Sequence, residues 1–235
     1  MSSYFVGVDL GTEDQDWTAV SVVEAGDFDP DDKPVFKLRW LDRWHDLTSP
    51  ETVQKITQMS LRPPLFGNAE LMVDARGLGW PICDELARLG LGVHRVMTTS
   101  GTEESTKTTE RGTTSFNVPK DRLVAATVVP FQDARLRISL RLPYRDILEA
   151  EMEVFGRKFA RKPGYEKFEA RASEHDDLVM SVCFACWGAG RLAGSGSQVD
   201  ESLAFAVTPY YSTGHDDDWY DRDFSRWQLG RLHGR

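Results

Sequence analysis

The chain has 235 residues, 40% of them hydrophobic, with three cysteines and a net charge of −9. That length accommodates one well-packed domain with a tail, and the odd cysteine count gives no disulfide framework and fits a reducing compartment. No apolar run approaches the ~20 residues of a membrane span, and "MSSYFVGVDLG" at the start lacks a signal-peptide pattern, so neither a membrane role nor secretion is expected.

In chain order, "SYFVGVDL" (3–10) reads as a buried strand stopped by Gly11, and "WTAVSVVE" (17–24) as a second, with a hairpin loop between them. "PVFKLRWLDRWH" (34–45) alternates and reads as a third strand after an acidic turn. The period then changes. "SPETVQKITQMSL" (49–61) places Ser49 as N-cap, Pro50 in the first turn, and Val53, Ile56 and Met59 at helical spacing. "AELMVDA" (69–75) is a fourth strand, "GWPICDELARLG" (79–90) a helix, and "GVHRVM" (92–97) a fifth strand. A three-strand meander followed by helix, strand, helix, strand predicts a mixed sheet with helices on its faces.

The polar stretch 98–115 reads as a mobile loop. A helix with Pro119 near its start, a short strand at "LRISLRL", a helix at "YRDILEAEMEVFGRK" and a hairpin arm at 165–171 follow. The last strong helix is 175–189; "GAGRLAGSGSQ" then reads as a linker to an acidic, aromatic tail. The expected division is a domain over 1–192 and a linker and tail over 193–235.

Three carboxylate positions stand out. Asp9 lies near the end of the first strand, Asp74 near the end of the fourth, and Asp176 and Asp177 open the last helix. If the first and fourth strands are parallel neighbours, their C-terminal ends lie side by side, where ligands of open sheets bind. A helix starting nearby adds a further carboxylate. Such a group repels itself and calls for a divalent cation, and hard oxygen ligands favour Mg²⁺ or Mn²⁺. Two such ions suit phosphodiester hydrolysis. The plain alternatives are Asp-Gly turns and a helix cap.

Cys183 and Cys186 lack the two further ligands of a zinc site and sit inside the helix, so they read as core, with no zinc expected. His94 and the tryptophans Trp17, Trp40, Trp44 and Trp80 read as structural or sheet-face residues. The acidic balance argues against broad binding to nucleic acid. Base collects locally, however, at Arg157, Lys158, Arg161, Lys162, Lys167 and Arg171, which suits solvated surface or a short footprint on a phosphate backbone.

The pieces "YFVGVDLGTEDQDWTAVSVVE", "AELMVDARGLGWPICDEL", "FNVPKDRLVAATVVPFQDARLRI" and "EHDDLVMSVCFACW" occur in this order. Together they resemble the nuclease domain of bacteriophage terminase large subunits, over roughly residues 3–190. The resemblance implies an α/β, RNase H-like or RuvC-like fold, with a mixed five-stranded sheet of three antiparallel and two parallel strands flanked by helices. It implies a DNA endonuclease of low sequence specificity that cuts concatemeric viral DNA during genome packaging, using two Mg²⁺ or Mn²⁺ ions and no nucleotide. Asp9, Asp74 and Asp177 look like its catalytic metal ligands, with Asp176 beside them and Glu174 and His175 as auxiliaries. The implied partners are double-stranded DNA, a small terminase subunit and a portal, in the cytoplasm of an infected bacterium. No G-x-x-x-x-G-K-[ST] loop is present, so the ATPase motor of such enzymes is expected on a separate domain or chain.

Three other readings remain open at this point. "GVDLGT" resembles the first phosphate loop of actin-type and heat-shock-type ATPases, although a second glycine-rich loop is missing. A junction resolvase would share the fold. A non-catalytic packaging module would use the same carboxylates only to cap and solvate.

Overall fold

The structure, a computed structural model, describes residues 3–11, 16–108, 114–159 and 176–193, with the side chains of 154–159 excepted. Strand β1 (Ser3–Asp9) pairs antiparallel with β2 (Thr18–Phe28), and β2 with β3 (Pro34–Trp44). After helix α1 (Ser49–Ser60), β4 (Ala69–Asp74) lies parallel to β1. Helix α2 (Gly79–Arg88) then leads to β5 (Gly92–Thr99), parallel to β4. These are the five expected strands, in the order β5-β4-β1-β2-β3. A three-strand antiparallel meander joined to two parallel strands is the RNase H-like arrangement.

Three further strands widen the sheet to eight: β6 (Ser105–Thr108) and β7 (Thr114–Pro119) beyond β5, and β8 (Leu136–Ile138) beyond β3. The polar stretch expected to be a mobile loop therefore supplies the end of β5, the edge strand β6 and the start of β7. Its threonines carry the β-branched shape that favours strands. It reads as loop because β6 is exposed along its whole length and needs no apolar face.

Helices α3 (Lys120–Gln132), α4 (Arg145–Phe159) and α5 (Asp177–Leu192) complete the unit. Helix α1 begins one residue earlier than the expected cap at Ser49 implies: Thr48 is the N-cap, and Glu51 accepts hydrogen bonds from the Thr48 backbone N–H at 2.9 Å and hydroxyl at 2.6 Å. The hairpin arm expected at 165–171 and the tail lie outside the described residues, as do Glu174 and His175.

Alternation along β3 separates the helices into two layers. Asp42 and Trp44 point to one face, where Lys55 of α1 lies 3.0 Å from Asp42 and Thr52 of α1 lies 3.4 Å from the Trp44 ring N–H. Arg43 points to the other face, toward Glu151 of α4. Helix α5 belongs to this second layer. It is buried on every side over most of its length, which is why it reads as one apolar run with no amphipathic stripe.

One contact fixes where α5 begins. At Gly7 of β1, a Cβ would stand 1.9 Å from the carbonyl oxygen of Ser181 and 2.7 Å from the amide nitrogen of Ala185. Only a residue without a side chain lets the helix backbone approach this closely. Asp9 is two residues along on the same face as Gly7, and Asp177 is one helical turn before Ser181. Two strand residues span about 6.6 Å and four helical residues about 6 Å, so the contact at Gly7 sets the first turn of α5 over Asp9. Gly7→Ala is expected to cost about 1–3 kcal/mol, because overpacking a filled site forces the backbone to shift. Denaturant unfolding checks this, and an unchanged midpoint would contradict the close approach.

Candidate metal centre

Asp9 ends β1, and its pairing with Ala19, which in turn pairs with Arg43, places all three side chains in one row on the α5 face. The parallel register Val8↔Val73, carried one residue further, puts Asp74 beside Asp9. Asp176 and Asp177 arrive from the start of α5. The structure thus brings Asp9, Asp74, Asp176 and Asp177 to one end of the sheet.

The electrostatics bear out their closeness. The Asp9 carboxyl is held well above its ordinary value, first by burial and then by the Asp74 and Asp177 carboxylates, with Asp176 adding to them and Arg76 opposing. Asp74, only 4% exposed, is wrapped by Arg76. One carboxylate oxygen accepts from the Arg76 backbone N–H at 3.0 Å and from Nε at 3.1 Å; the other accepts from Nε at 2.9 Å and from a terminal guanidinium nitrogen at 2.6 Å. Asp176 has Lys120 at 3.5 Å. Its side chain makes no capping hydrogen bond to α5, so the plain reading of this residue as a cap does not hold.

The cap comes from elsewhere. Glu151 of α4, its side chain 6% exposed, accepts the Val179 N–H through Oε2 at 3.0 Å. Its Oε1 makes no hydrogen bond among the described residues and lies 3.8 Å from the Arg43 guanidinium. Glu151 is pushed up to about 7, chiefly by burial, with the Val179 hydrogen bond and Arg43 opposing and Asp177 and Asp176 reinforcing the rise. The sequence reading missed this residue.

The donor set suits a hard divalent cation: carboxylate oxygens alone, from three elements, crowded enough to keep one of them from ionising normally. Among the described residues no three His, Cys, Asp or Glu side chains already surround one point as ligands do. The hydrogen bonds of Asp74 give the physical reason, since both its oxygens face Arg76. Arg76 stands beside Asp74 as its counter-ion.

Cys183 and Cys186 are buried and unpaired, as expected for core residues, and burial pushes both thiols up to about 12. His94 is held by Glu70 at 2.8 Å. Trp40 and Trp44 are buried, whereas Trp80 is 41% exposed with the Arg95 guanidinium 4.6 Å from its ring centre. Of the basic run, Arg157 and Lys158 lie on the part of α4 whose side chains are outside the described set. Arg161, Lys162, Lys167 and Arg171 lie outside the described residues altogether. Among the described residues no helix is long and apolar enough to cross a membrane.

No protein-family model matches the chain, and no curated protein matches it. Among solved structures it is similar to the large terminase nuclease from thermophilic phage G20c with bound zinc, at 20% identity and a TM-score of 0.48, over 78% of this chain and 80% of that one. It is also similar to the human cytomegalovirus terminase nuclease domain, at 13% identity and a TM-score of 0.48, over 85% of this chain and 87% of that one. Both neighbours are terminase nucleases, the family that the sequence motifs resemble. At these values the site must be read from this chain's own residues.

The raised carboxyls make metal-free stability depend on pH. Each keeps its proton in the folded chain at a pH where the unfolded chain has released it, so metal-free stability is lost as pH rises from the ordinary value toward the native one. For Glu151 that window runs from 4.5 to about 7. Asp9→Asn is therefore expected to melt above the wild type in EDTA, with a gain that grows from the acidic range to neutrality. Each kcal/mol recovered is worth about 2–4 °C in a chain of this size. Parallel melting curves across pH would contradict the crowding. Arg76→Gln is expected to cost about 1–3 kcal/mol in EDTA, because the buried Asp74 loses its guanidinium donors and keeps only the backbone N–H. Mn²⁺ should restore that loss, and thermal melts with and without the ion check it.

Proposed function

We propose that this chain is a metal-dependent endodeoxyribonuclease that cuts concatemeric viral DNA during genome packaging. The observation that carries the reading is the meeting of Asp9, Asp74 and Asp177 at one end of an RNase H-like sheet, with Asp9 held from ordinary ionisation by burial and then by the other two. Asp9, Asp74 and Asp177 would hold the cations, with Asp176 at their edge. Two Mg²⁺ or Mn²⁺ ions, when bound, would supply the Lewis acidity and the activated water of phosphodiester hydrolysis.

The protein's own part is placement and charge. Asp9, between its acidic neighbours, gives up its proton readily only once positive charge arrives, so metal loading and ionisation are one event. Arg76, which now clasps Asp74, would be the residue to yield there to a cation, and its planar donor fork at the rim would suit a phosphate. Lys120, beside Asp176, adds a second cation. Glu174 and His175, directly before Asp176, are auxiliaries in this reading. Arg157, Lys158, Arg161, Lys162, Lys167 and Arg171 would hold the backbone of double-stranded DNA, and such contacts carry little base information. The packaging reading rests on the sequence motifs, and it places a motor on another domain or chain, with a small terminase subunit and a portal as partners in the cytoplasm of an infected bacterium.

Plasmid digestion with Mg²⁺, Mn²⁺, Zn²⁺ or EDTA tests the function. Wild type is expected to cut in Mg²⁺ or Mn²⁺, with Asp9→Ala, Asp74→Ala and Asp177→Asn each slower by about 100-fold or more, a loss of roughly 2.7 kcal/mol in transition-state stabilisation, while remaining folded. Cutting retained in all three variants would overturn the assignment. A strong preference for four-way junctions over linear duplex would point to a resolvase.

A further inference from the structure

We infer that Glu151 is a positioning residue of the metal centre, holding the first turn of α5, and with it Asp177, from a neighbouring helix. The inference rests on the proposed metal centre and adds a residue that the motif reading does not contain. Three observations support it. First, Glu151 is almost wholly buried, yet it is a carboxylate placed among carboxylates, which is costly unless it serves a partner. Second, that partner is specific. Glu151 Oε2 takes the Val179 N–H at 3.0 Å, one of the backbone donors that the start of a helix leaves unsatisfied. Asp176 stands at the usual capping position and makes no side-chain cap. Its carboxylate is left for the site and for Lys120. Third, Glu151 is itself anchored. The Arg43 guanidinium lies 3.8 Å from Oε1 and 3.8 Å from the centre of the Trp17 ring, so a sheet residue in the same row as Asp9 steadies the cap.

The division of labour has a physical logic. An aspartate that caps its own helix spends part of its acceptor capacity, and its orientation, on the backbone N–H. With the Val179 N–H satisfied from α4, the helix start stays ordered without a side-chain cap from Asp176. Residues that orient metal ligands from behind typically cost 10–100-fold in metal affinity or activity when removed.

The test compares Glu151→Ala, Glu151→Gln and wild type in the full chain by two readouts. Amide hydrogen exchange at Val179 and Met180, measured without metal, reports the cap. Glu151→Ala is expected to lose protection there, and Glu151→Gln, whose amide oxygen still accepts, to keep it. Mn²⁺ titration calorimetry reports the consequence. Glu151→Ala should bind roughly 10–100-fold more weakly, and Glu151→Gln within about threefold of wild type. Unchanged exchange or unchanged Mn²⁺ affinity in Glu151→Ala overturns the inference. Equal loss of affinity in both variants also overturns it, because Glu151 would then be a ligand. If wild type takes up no Mn²⁺, the proposed function fails, and the exchange data still decide whether Glu151 holds the helix start.

Discussion

The backbone of α5 rests directly on β1 at Gly7, and this contact organises the rest. A side chain at that position would lift the helix by the thickness of at least a methyl group. With hydrogen there, the helix starts beside the end of the first strand, and an aspartate from each is brought to the same place. The parallel register of β1 and β4 supplies the third acid without any further device. Fold and site are therefore one construction: a meander that ends β1 at the sheet's middle, a parallel neighbour, and a buried helix laid across both.

The arrangement stores electrostatic cost. Asp9 cannot ionise at its ordinary value because burial and two carboxylates oppose it. The structure offsets part of this with cations drawn from other elements: Arg76 on Asp74, Lys120 on Asp176, and Arg43 beside Glu151. These partners differ in kind. Arg43 is tied into the sheet and stacked on Trp17, and it serves the scaffold. Arg76 has a side chain 56% exposed and clasps Asp74 from the solvent side; in the proposed function it is the cation that would yield its place to a metal. In the proposed function, dications would offset the acid within such a site and let it receive a negatively charged substrate.

Much of this could be read from residues alone. The strands and their order follow from apolar runs broken by turn residues, and the change from two-fold to helical spacing after Trp44 marks the end of the meander. Asp9, Asp74 and the Asp176–Asp177 pair stand out because each sits at the end of a strand or the start of a helix, and the choice of Asp177 within the pair follows only from the family resemblance. Glu151 could not, since "ILEAEMEVF" offers several acids on an apparently solvated helix. A signal was present: Glu151 follows the fully buried Leu148 by three residues and so falls on the inward stripe. The extra hairpin was missed because a polar edge strand lacks the apolar face by which strands are recognised. Thr48 was missed as the start of α1 because Ser49 before Pro50 offers an equally good cap by composition.

The most direct measurement is anomalous diffraction from a crystal of the chain soaked in Mn²⁺. The account predicts manganese peaks between Asp9, Asp74 and Asp177, with Arg76 turned away from Asp74. A folded protein with ordered side chains, no manganese at that point and Arg76 still clasping Asp74 at saturating ion would contradict it.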